Sequence, residues 1–238
     1  MLERVETFAT ARRQFSADAS HELRSPLASA RAQLEVGLAY PDRTDWTATA
    51  TEVRVELARL ETLSGDLLTL AKVEVGSAAI NRAPVDLREL LAGELDSPNG
   101  SDIAVHYVAP SSALTVSGDR ELLLRALRNL LANARRHAKS TISIETTSDQ
   151  SSVSITVSND GPSIPADKHE AIFEPFTRLD DARSADEGGA GLGLVIVRNI
   201  LTDHGGTAVS VPVPSGARFV MTLPRAAGAE IGGSPLHR

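Results

Sequence analysis

The chain has 238 residues, 42% hydrophobic and 23% charged, the balance of a soluble globular protein of one or two domains. A formal charge of −7 argues against nucleic acid or an anionic membrane surface as the main partner. With no cysteine, disulfides and thiolate metal sites are excluded, and aromatics at only 3% leave the core to Leu, Val, Ile and Ala.

Residues 2–75 read as two helices. No apolar run approaches the roughly 20 residues a membrane-spanning helix needs. The opening "LERVETFATARRQF" reads as part of a longer charged helix rather than as a leader peptide. The first helix, to about Ala39, sets Phe8, Phe15, Ala30, Leu34 and Leu38 on one side. The second carries Val53, Leu57, Leu60, Ser64, Leu67 and Ala71 at alternating steps of four and three, a heptad seam. Between them "YPDRTDW" predicts a turn, with Pro41 as breaker and Asp42 or Thr44 as N-cap. Two such stripes cannot fully bury each other. A second copy of the chain would complete a four-helix bundle across a two-fold axis, so a homodimer is expected.

Within the first helix, "SADASHELRSPLASA" sets His21 beside Glu22 and then admits Pro26, a residue that breaks the helical hydrogen-bond ladder. After "GSAAINRAP" the pattern changes. "VDLRELLAGELD" predicts a short helix, "IAVHYV" and "LTVSG" strands, and "DRELLLRALRNLLANARRHA" a long helix from about Asp119. "TISIETT", "SVSITVSN", "TAVSVPV" and "RFVMTL" read as sheet strands. A last helix, "LGLVIVRNILTDH", ends at Gly205 and Gly206. The order suggests an α/β sandwich with a mixed sheet covered on one face. The histidines His106, His169, His204 and His237 show no ligand spacing and read as surface or capping residues, with a cationic His204 favoured at its helix end.

Neither a P-loop nor a dinucleotide fingerprint is present, since Ile196 stands where "GGAGLGL" would need its third glycine. Three other features converge on a nucleotide. Asn129 and Asn133 leave one helix face at i and i+4, where amide oxygens suit a hard cation such as Mg²⁺, with Arg136 and His137 one turn on. Alone, that pair also fits a solvated polar face. In "SVSITVSNDGPSIP", strand alternation puts Asn159 inward with Val153, Ile155 and Val157, and Asp160 outward. A polar group ending an apolar row needs a partner, and a heteroaromatic base would provide one. Finally, Gly188, Gly189, Gly191 and Gly193 run directly into an apolar helix, whose N-terminus favours anions.

The ordered set "SHELRSPL", "NLLANARRH", "NDGPSIP", "FEPFTRLD", "GGAGLGL" and "HGG" resembles the sensor histidine kinases of bacterial two-component systems. The resemblance implies a fold of α plus α/β class. An antiparallel helical hairpin forms a dimeric four-helix bundle, followed by an α/β sandwich ATPase domain of the histidine kinase/topoisomerase type. It divides the chain into a dimerisation and phosphotransfer hairpin at 1–76, whose residues 1–14 end a linker helix, a linker at 77–84, a catalytic ATP-binding domain at 85–225 and a disordered tail at 226–238.

By this resemblance His21 is the phospho-acceptor, Glu22 orients and deprotonates it, and Ser25 replaces the commoner threonine that positions water for dephosphorylating a partner. Pro26 becomes a distortion that lets the helix bend. ATP is implied at Asn129, Asn133, Arg136, His137, Asn159, Gly161, Ser163 and Ile164. It is also implied at Phe173, Phe176, Arg178, Gly189, Gly191, Leu192, Gly193 and Leu194, with Asn133 the direct Mg²⁺ ligand and residues 177–190 the lid over the phosphates. Asn159 stands where the family usually has aspartate, and Ser163 where it has glycine, which implies weaker or less selective ATP binding. The implied activity is ATP-dependent autophosphorylation followed by transfer to an aspartate of a response-regulator receiver domain, which would dock around residues 19–31. The implied partners are a second copy and that regulator. No nucleic acid and no metal other than Mg²⁺ are expected. The chain would be the cytoplasmic domain of a parent held in the bacterial membrane. One alternative is an ATPase of the same nucleotide fold acting as a conformational switch. Such relatives generally carry a glutamate base one turn before the magnesium asparagine, where this chain has Asn129. The other alternative is a non-catalytic dimeric scaffold.

Overall fold

A computed structural model describes residues 2–74, 80–96, 103–110, 114–179 and 189–226. Gly188, His237, most of the expected lid and the tail from 227 onward lie outside the described residues. The chain divides into two compact units, the boundary falling between Lys72 and Val73.

The first unit is helical. Helix α1, Leu2–Ala39, runs unbroken through Pro26, and α2 spans Trp46–Glu74 after a single 3-10 turn at Pro41–Arg43. Strong helix formers make up most of α1, which offsets the one residue that cannot donate to its ladder. The cap differs from expectation. Asp45, rather than Asp42 or Thr44, opens α2: its Oδ1 accepts the N–H groups of Thr47 and Ala48, both at 3.0 Å. Thr44 closes the 3-10 turn instead, donating its hydroxyl to the Tyr40 carbonyl at 2.8 Å. A Cβ on Gly37 would lie 3.1 Å from the Trp46 ring, so the missing side chain lets the indole close over the turn.

The packing stripes also differ. On α1 the buried positions are Ala19, Pro26, Ala30 and Gly37, small or compact residues at steps of seven, four and seven. Leu34 and Leu38, expected beside Ala30, are 41% and 71% exposed. The side chain of Phe8 lies outside the described residues. On α2, Leu63, Thr69 and Leu70 are buried, while Leu57, Ser64 and Ala71 of the expected seam are exposed. The buried stripe is offset by one residue, about 100° around the helix. Leu63 and Leu70 form an equally regular heptad beside the one read from the sequence.

The second unit opens with β1 (Ala83–Asp86), α3 (Leu87–Leu95), β2 (Ala104–Tyr107) and β3 (Thr115–Gly118). Then come α4 (Arg120–His137), β4 (Thr141–Ser148), β5 (Ser152–Asn159), α5 (Gly193–Asp203), β6 (Thr207–Val211) and β7 (Ala217–Pro224). Strand β1 replaces the expected end of a linker. It pairs antiparallel with β3 from Ala83↔Gly118 to Asp86↔Thr115. Four residues containing a proline carry too little alternation to read as a strand in the sequence. The main sheet has the order β2-β4-β5-β7-β6; β2 and β4 are parallel and the other pairs antiparallel.

Helices α4 and α5 pack on one face of this sheet. Leu127, Leu130 and Leu131 from α4 and Ile196, Ile200 and Leu201 from α5 are buried with Ile142, Ile155, Val157 and Phe219 of the strands. The opposite face is rich in Ser and Thr, with the Ser154 and Thr222 hydroxyls 2.9 Å apart across β5 and β7. Asp119 caps α4, its Oδ1 accepting the N–H groups of Glu121 at 3.0 Å and Leu122 at 3.2 Å. Gly205, at φ 76°, ends α5, and the Gly206 N–H reaches back to the Leu201 carbonyl at 2.7 Å.

His204 departs from its reading as a surface or cationic cap. The ring is buried at 2% exposure, with Nδ1 2.7 Å from the Ile200 carbonyl and Nε2 accepting the Asp119 N–H at 3.0 Å. One nitrogen must donate and the other accept, roles that a doubly protonated ring cannot fill. The side chain thereby ties the end of α5 to the start of α4. A Cβ on Gly118 would stand 2.6 Å from the ring, so that position admits no larger residue without movement.

Candidate functional site

In the helical unit, His21 is exposed, Glu22 half-buried and Ser25 exposed. At 3.6 residues per turn, His21 points about 200° away from Ala19 of the buried stripe, which explains its exposure. Ser25 follows at i+4 on the same face. Pro26 lacks the N–H that would bond to the Glu22 carbonyl four residues back, so the ladder is interrupted beside the histidine. The helix nevertheless continues for more than three turns beyond it.

The second unit assembles its site from four segments. Buried apolar residues fix α4 against the sheet and turn Asn129, Asn133 and Arg136 to another face at i, i+4 and i+7. The glycine segment runs along that face. A Cβ on Gly193 would be 3.5 Å from Asn129 Oδ1, and one on Gly189 would be 2.8 Å from the Arg136 guanidinium. Side chains at those two positions would fill the space between the segment and α4. Gly191 has φ 70°, and its carbonyl accepts the Phe176 N–H at 3.0 Å. That bond joins the segment at 173–179 to the glycines. Phe176 itself is at φ 59°, a conformation uncommon outside glycine.

The end of β5 closes the arrangement. Burial alternates along the strand and ends on Asn159 at 6% exposure, with Asp160 partly exposed. Asn159 Oδ1 accepts the Gly161 N–H at 2.9 Å, while its Nδ2 is buried without a partner among the described residues. Asn129 Nδ2 is in the same position. Buried polar atoms are ordinarily matched, so two orphaned amide donors mark a place built for something else. Gly161 lies against the end of α4, where a Cβ would fall 1.8 Å from the His137 carbonyl. Gly216, in the β6–β7 turn, does the same for the Asn159 carbonyl at 1.9 Å. Sequence reasoning misses Gly216 because its role depends on a partner 57 positions away.

Two of the apolar residues expected at the site are buried within the unit. Phe173 is 2% exposed and its ring is used within the core, edge-on to Phe219 at 6.5 Å and under the Arg198 guanidinium at 4.2 Å. Leu192 is likewise buried, at 1%. Both anchor the segments that carry their neighbours. His137, Ser163 and the rest of Arg136 stand toward solvent, and Ile164, Arg178 and Leu194 are half-buried.

Sequence reasoning also misses Asp160 as a structural residue. Its carboxylate accepts the Ser140 hydroxyl at 2.7 Å, the Ser140 N–H at 3.1 Å and the Lys139 N–H at 2.8 Å, which locks the turn after α4. The Ser140 hydroxyl first, and then these backbone donors, hold its pKa far below the ordinary carboxylate value. A lowered folded-state pKa contributes stability above the unfolded value of 3.8 that is lost as pH falls. Asp160→Asn should therefore destabilise the unit at neutral pH, with the gap from the parent closing as pH drops toward about 2. Thermal unfolding midpoints across that range read it; a pH-independent gap would rule it out.

Residues 118–227 match the family described as histidine kinase-, DNA gyrase B-, and HSP90-like ATPase, and residues 11–76 match the His Kinase A (phospho-acceptor) domain. The chain belongs to the sensor histidine kinases. Within this family it is 34% identical over 236 residues to the probable sensor histidine kinase TcrY of Mycobacterium tuberculosis, covering 94% of this chain and 50% of that protein. It is 35% identical to the sensor protein CutS of Streptomyces coelicolor, covering 94% of this chain and 55% of the relative. The chain thus spans about half the length of these sensor kinases. Among solved structures, full-length ShkA in complex with AMPPNP superposes with a TM-score of 0.66 at 25% identity, over 92% of this chain and 47% of that one. The fold agrees with the family: a helical phospho-acceptor region followed by an α/β ATPase unit. Among the described residues no helix of this sensor histidine kinase is long and apolar enough to cross a membrane.

Proposed function

We propose that this chain autophosphorylates on His21 with ATP and passes the phosphoryl group to an aspartate of a response-regulator receiver domain. The observation that supports this most is the α4 face that carries Asn129, Asn133 and Arg136, with Asn129 against Gly193 and Arg136 against Gly189, together with the orphaned donor of Asn159 at the end of β5. One side of that arrangement suits phosphates and the other a base.

A nitrogen of the His21 imidazole attacks the γ-phosphorus as the bond to the β-phosphate oxygen breaks and ADP departs. The proton on the other ring nitrogen passes to Glu22, which the helix sets next in sequence. Arg136 and Arg178 place positive charge near the phosphates. The amide oxygen of Asn133 fits a hard cation that keeps most of its waters. Mg²⁺ held there would neutralise charge on the phosphoryl oxygens. Asn129, whose uncommitted group is a donor, fits a phosphate oxygen better than the cation.

The test is incubation with ATP labelled at the γ-position. Acid-labile, base-stable label on the protein is the expected product. Label appearing only as free phosphate would support the alternative of an ATPase switch, which Asn129 disfavours because an amide cannot serve as general base to water.

The acting form is a homodimer. Leu27, Leu34 and Leu38 on α1 and Leu57 and Leu68 on α2 are 41–71% exposed, at spacings that repeat on one face of each helix. A second copy would bury both stripes as a four-helix bundle. Sedimentation should show the dimer; a chain that stays monomeric at every concentration would remove it. The response regulator docks on the same hairpin around residues 19–31. The parent protein is held at the bacterial membrane.

A further inference from the structure

The stretch from Lys168 to Leu179 carries Phe176 and Arg178, yet its regular structure is a single 3-10 turn at Ala171–Phe173. With so little hydrogen-bond ladder of its own, such a segment lies where its anchors hold it. Its inner anchor is Phe173, whose ring is buried edge-on to Phe219. Its outer anchor is Arg198. The guanidinium lies 4.2 Å over the Phe173 ring, and Nη1 stands 2.7 Å from Glu170 Oε1. His169 adds a contact to β6, with Nδ1 2.8 Å from Ser210 Oγ.

The two bonds of Arg198 differ in weight. The Glu170 side chain is 83% exposed, so water screens the ion pair and it contributes little. The Arg198 side chain is only 26% exposed, and a partly desolvated cation over an aromatic face is the stronger hold. Arg198 also stands on a firm base. It follows Gly193 by about a turn and a half on α5, whose Val195, Ile196, Val197 and Ile200 are buried. One helix therefore fixes the end of the glycine segment directly and the aromatic segment through Arg198. The two segments meet where the Phe176 N–H reaches the Gly191 carbonyl at 3.0 Å. At that junction Phe176 is at φ 59°, a conformation that a residue with a side chain keeps only when its surroundings hold it there.

We propose that Arg198 is a positioning residue for the triphosphate. By clamping the Phe173 ring to α5 it sets Phe176 and Arg178 beside the glycine segment, acting through that ring rather than on the nucleotide. The inference rests on the nucleotide reading above, in which Arg178 brings positive charge to the phosphates. A triphosphate carries more negative charge than a diphosphate, so slackening the clamp weakens ATP more than ADP.

Calorimetric titration of the full chain with ATP and with ADP, both with Mg²⁺, reads that difference. Arg198→Met keeps the stem and removes the cation. It should raise the ATP dissociation constant about tenfold and leave that of ADP within about threefold of the parent. Arg198→Lys returns a cation to the ring and should hold both constants within about threefold. Glu170→Gln should do the same, because the ion pair it removes is exposed. If Arg198→Met does not fold, Phe173→Leu, which deletes the ring face and keeps the core apolar, takes its place under the same criteria. Equal loss of ATP and ADP would reduce Arg198 to a structural prop and overturn the inference. So would Arg198→Lys or Glu170→Gln binding ATP as weakly as Arg198→Met. If the folded, unsubstituted chain binds neither nucleotide, the nucleotide reading falls first and the positioning role with it. Parental affinity for ATP in Arg198→Met defeats the positioning role alone.

Discussion

His21→Gln should reduce acid-labile label on the protein by at least about a thousandfold, equivalent to roughly 4 kcal/mol of barrier. The reason is electronic rather than steric. A neutral imidazole offers a lone pair in the ring plane, whereas the glutamine amide nitrogen has its lone pair delocalised into the carbonyl. The side chain is exposed on α1, away from the buried stripe, so the replacement should leave stability within about 0.5 kcal/mol. ATP affinity, read by titration, should not change, because the acceptor and the nucleotide residues stand on separate compact units. Label persisting at the parental level in the variant would place the acceptor on another side chain and defeat the assignment.

Asn133→Ala should have an effect of similar kind at the other end of the reaction. Removing the amide oxygen deletes the protein's grip on the cation and should lower Mg²⁺-dependent ATP binding and labelling by about a hundredfold or more. The helix should tolerate alanine, the best helix former, so circular dichroism and the unfolding midpoint should stay near parental values. Raising Mg²⁺ should restore part of the lost labelling, which a merely structural defect would not allow. Unchanged labelling at limiting Mg²⁺ would exclude Asn133 as the ligand. Mixing the two variants adds a second result. The Asn133→Ala protomer keeps the acceptor and the His21→Gln protomer keeps the nucleotide site. Label in the mixture therefore means that the phosphoryl group crosses between protomers, and its absence means transfer within one.

Features that depend on local chemistry are legible in the residues themselves. Asp119 before "RELLL", Gly205 and Gly206 after "LTDH", and period-two alternation through Asn159 are each decided within a few residues, and the elements begin, end and face as those signals require. The expectations that the fold overturns concern which of several acceptable neighbours wins. Asp42, Thr44 and Asp45 are all competent caps, and only the path of the turn selects Asp45. Two adjacent heptads run along α2, and the stripe of small residues on α1 accompanies burial of Leu63 and Leu70 rather than Ser64 and Ala71. The packing of the Phe173 ring on Phe219 and under Arg198 likewise depends on a strand and a helix that lie far along the chain.

Asn159 shows the division most clearly. Alternation alone makes it an inward polar residue lacking a partner, because side chains on a strand must alternate whatever the rest of the chain does. Which atom of its amide remains over follows from a local bond, the Gly161 N–H two residues on, whereas the burial of the other atom is a tertiary matter, since glycines 161 and 216 let the His137 and Asn159 carbonyls close in. His204 is a second case: its place at a helix end is written in the sequence, but its burial and its bond to the Asp119 N–H exist only because α5 returns to the start of α4. Sequence by itself determined all the helices and all the strands but β1, the start of α4 and the end of α5, and the order of the motifs, since these rest on short-range sterics and hydrogen bonding. The tertiary structure alone decided which donors were left unmatched, because a group's partner depends on what the whole chain brings within about 3 Å of it.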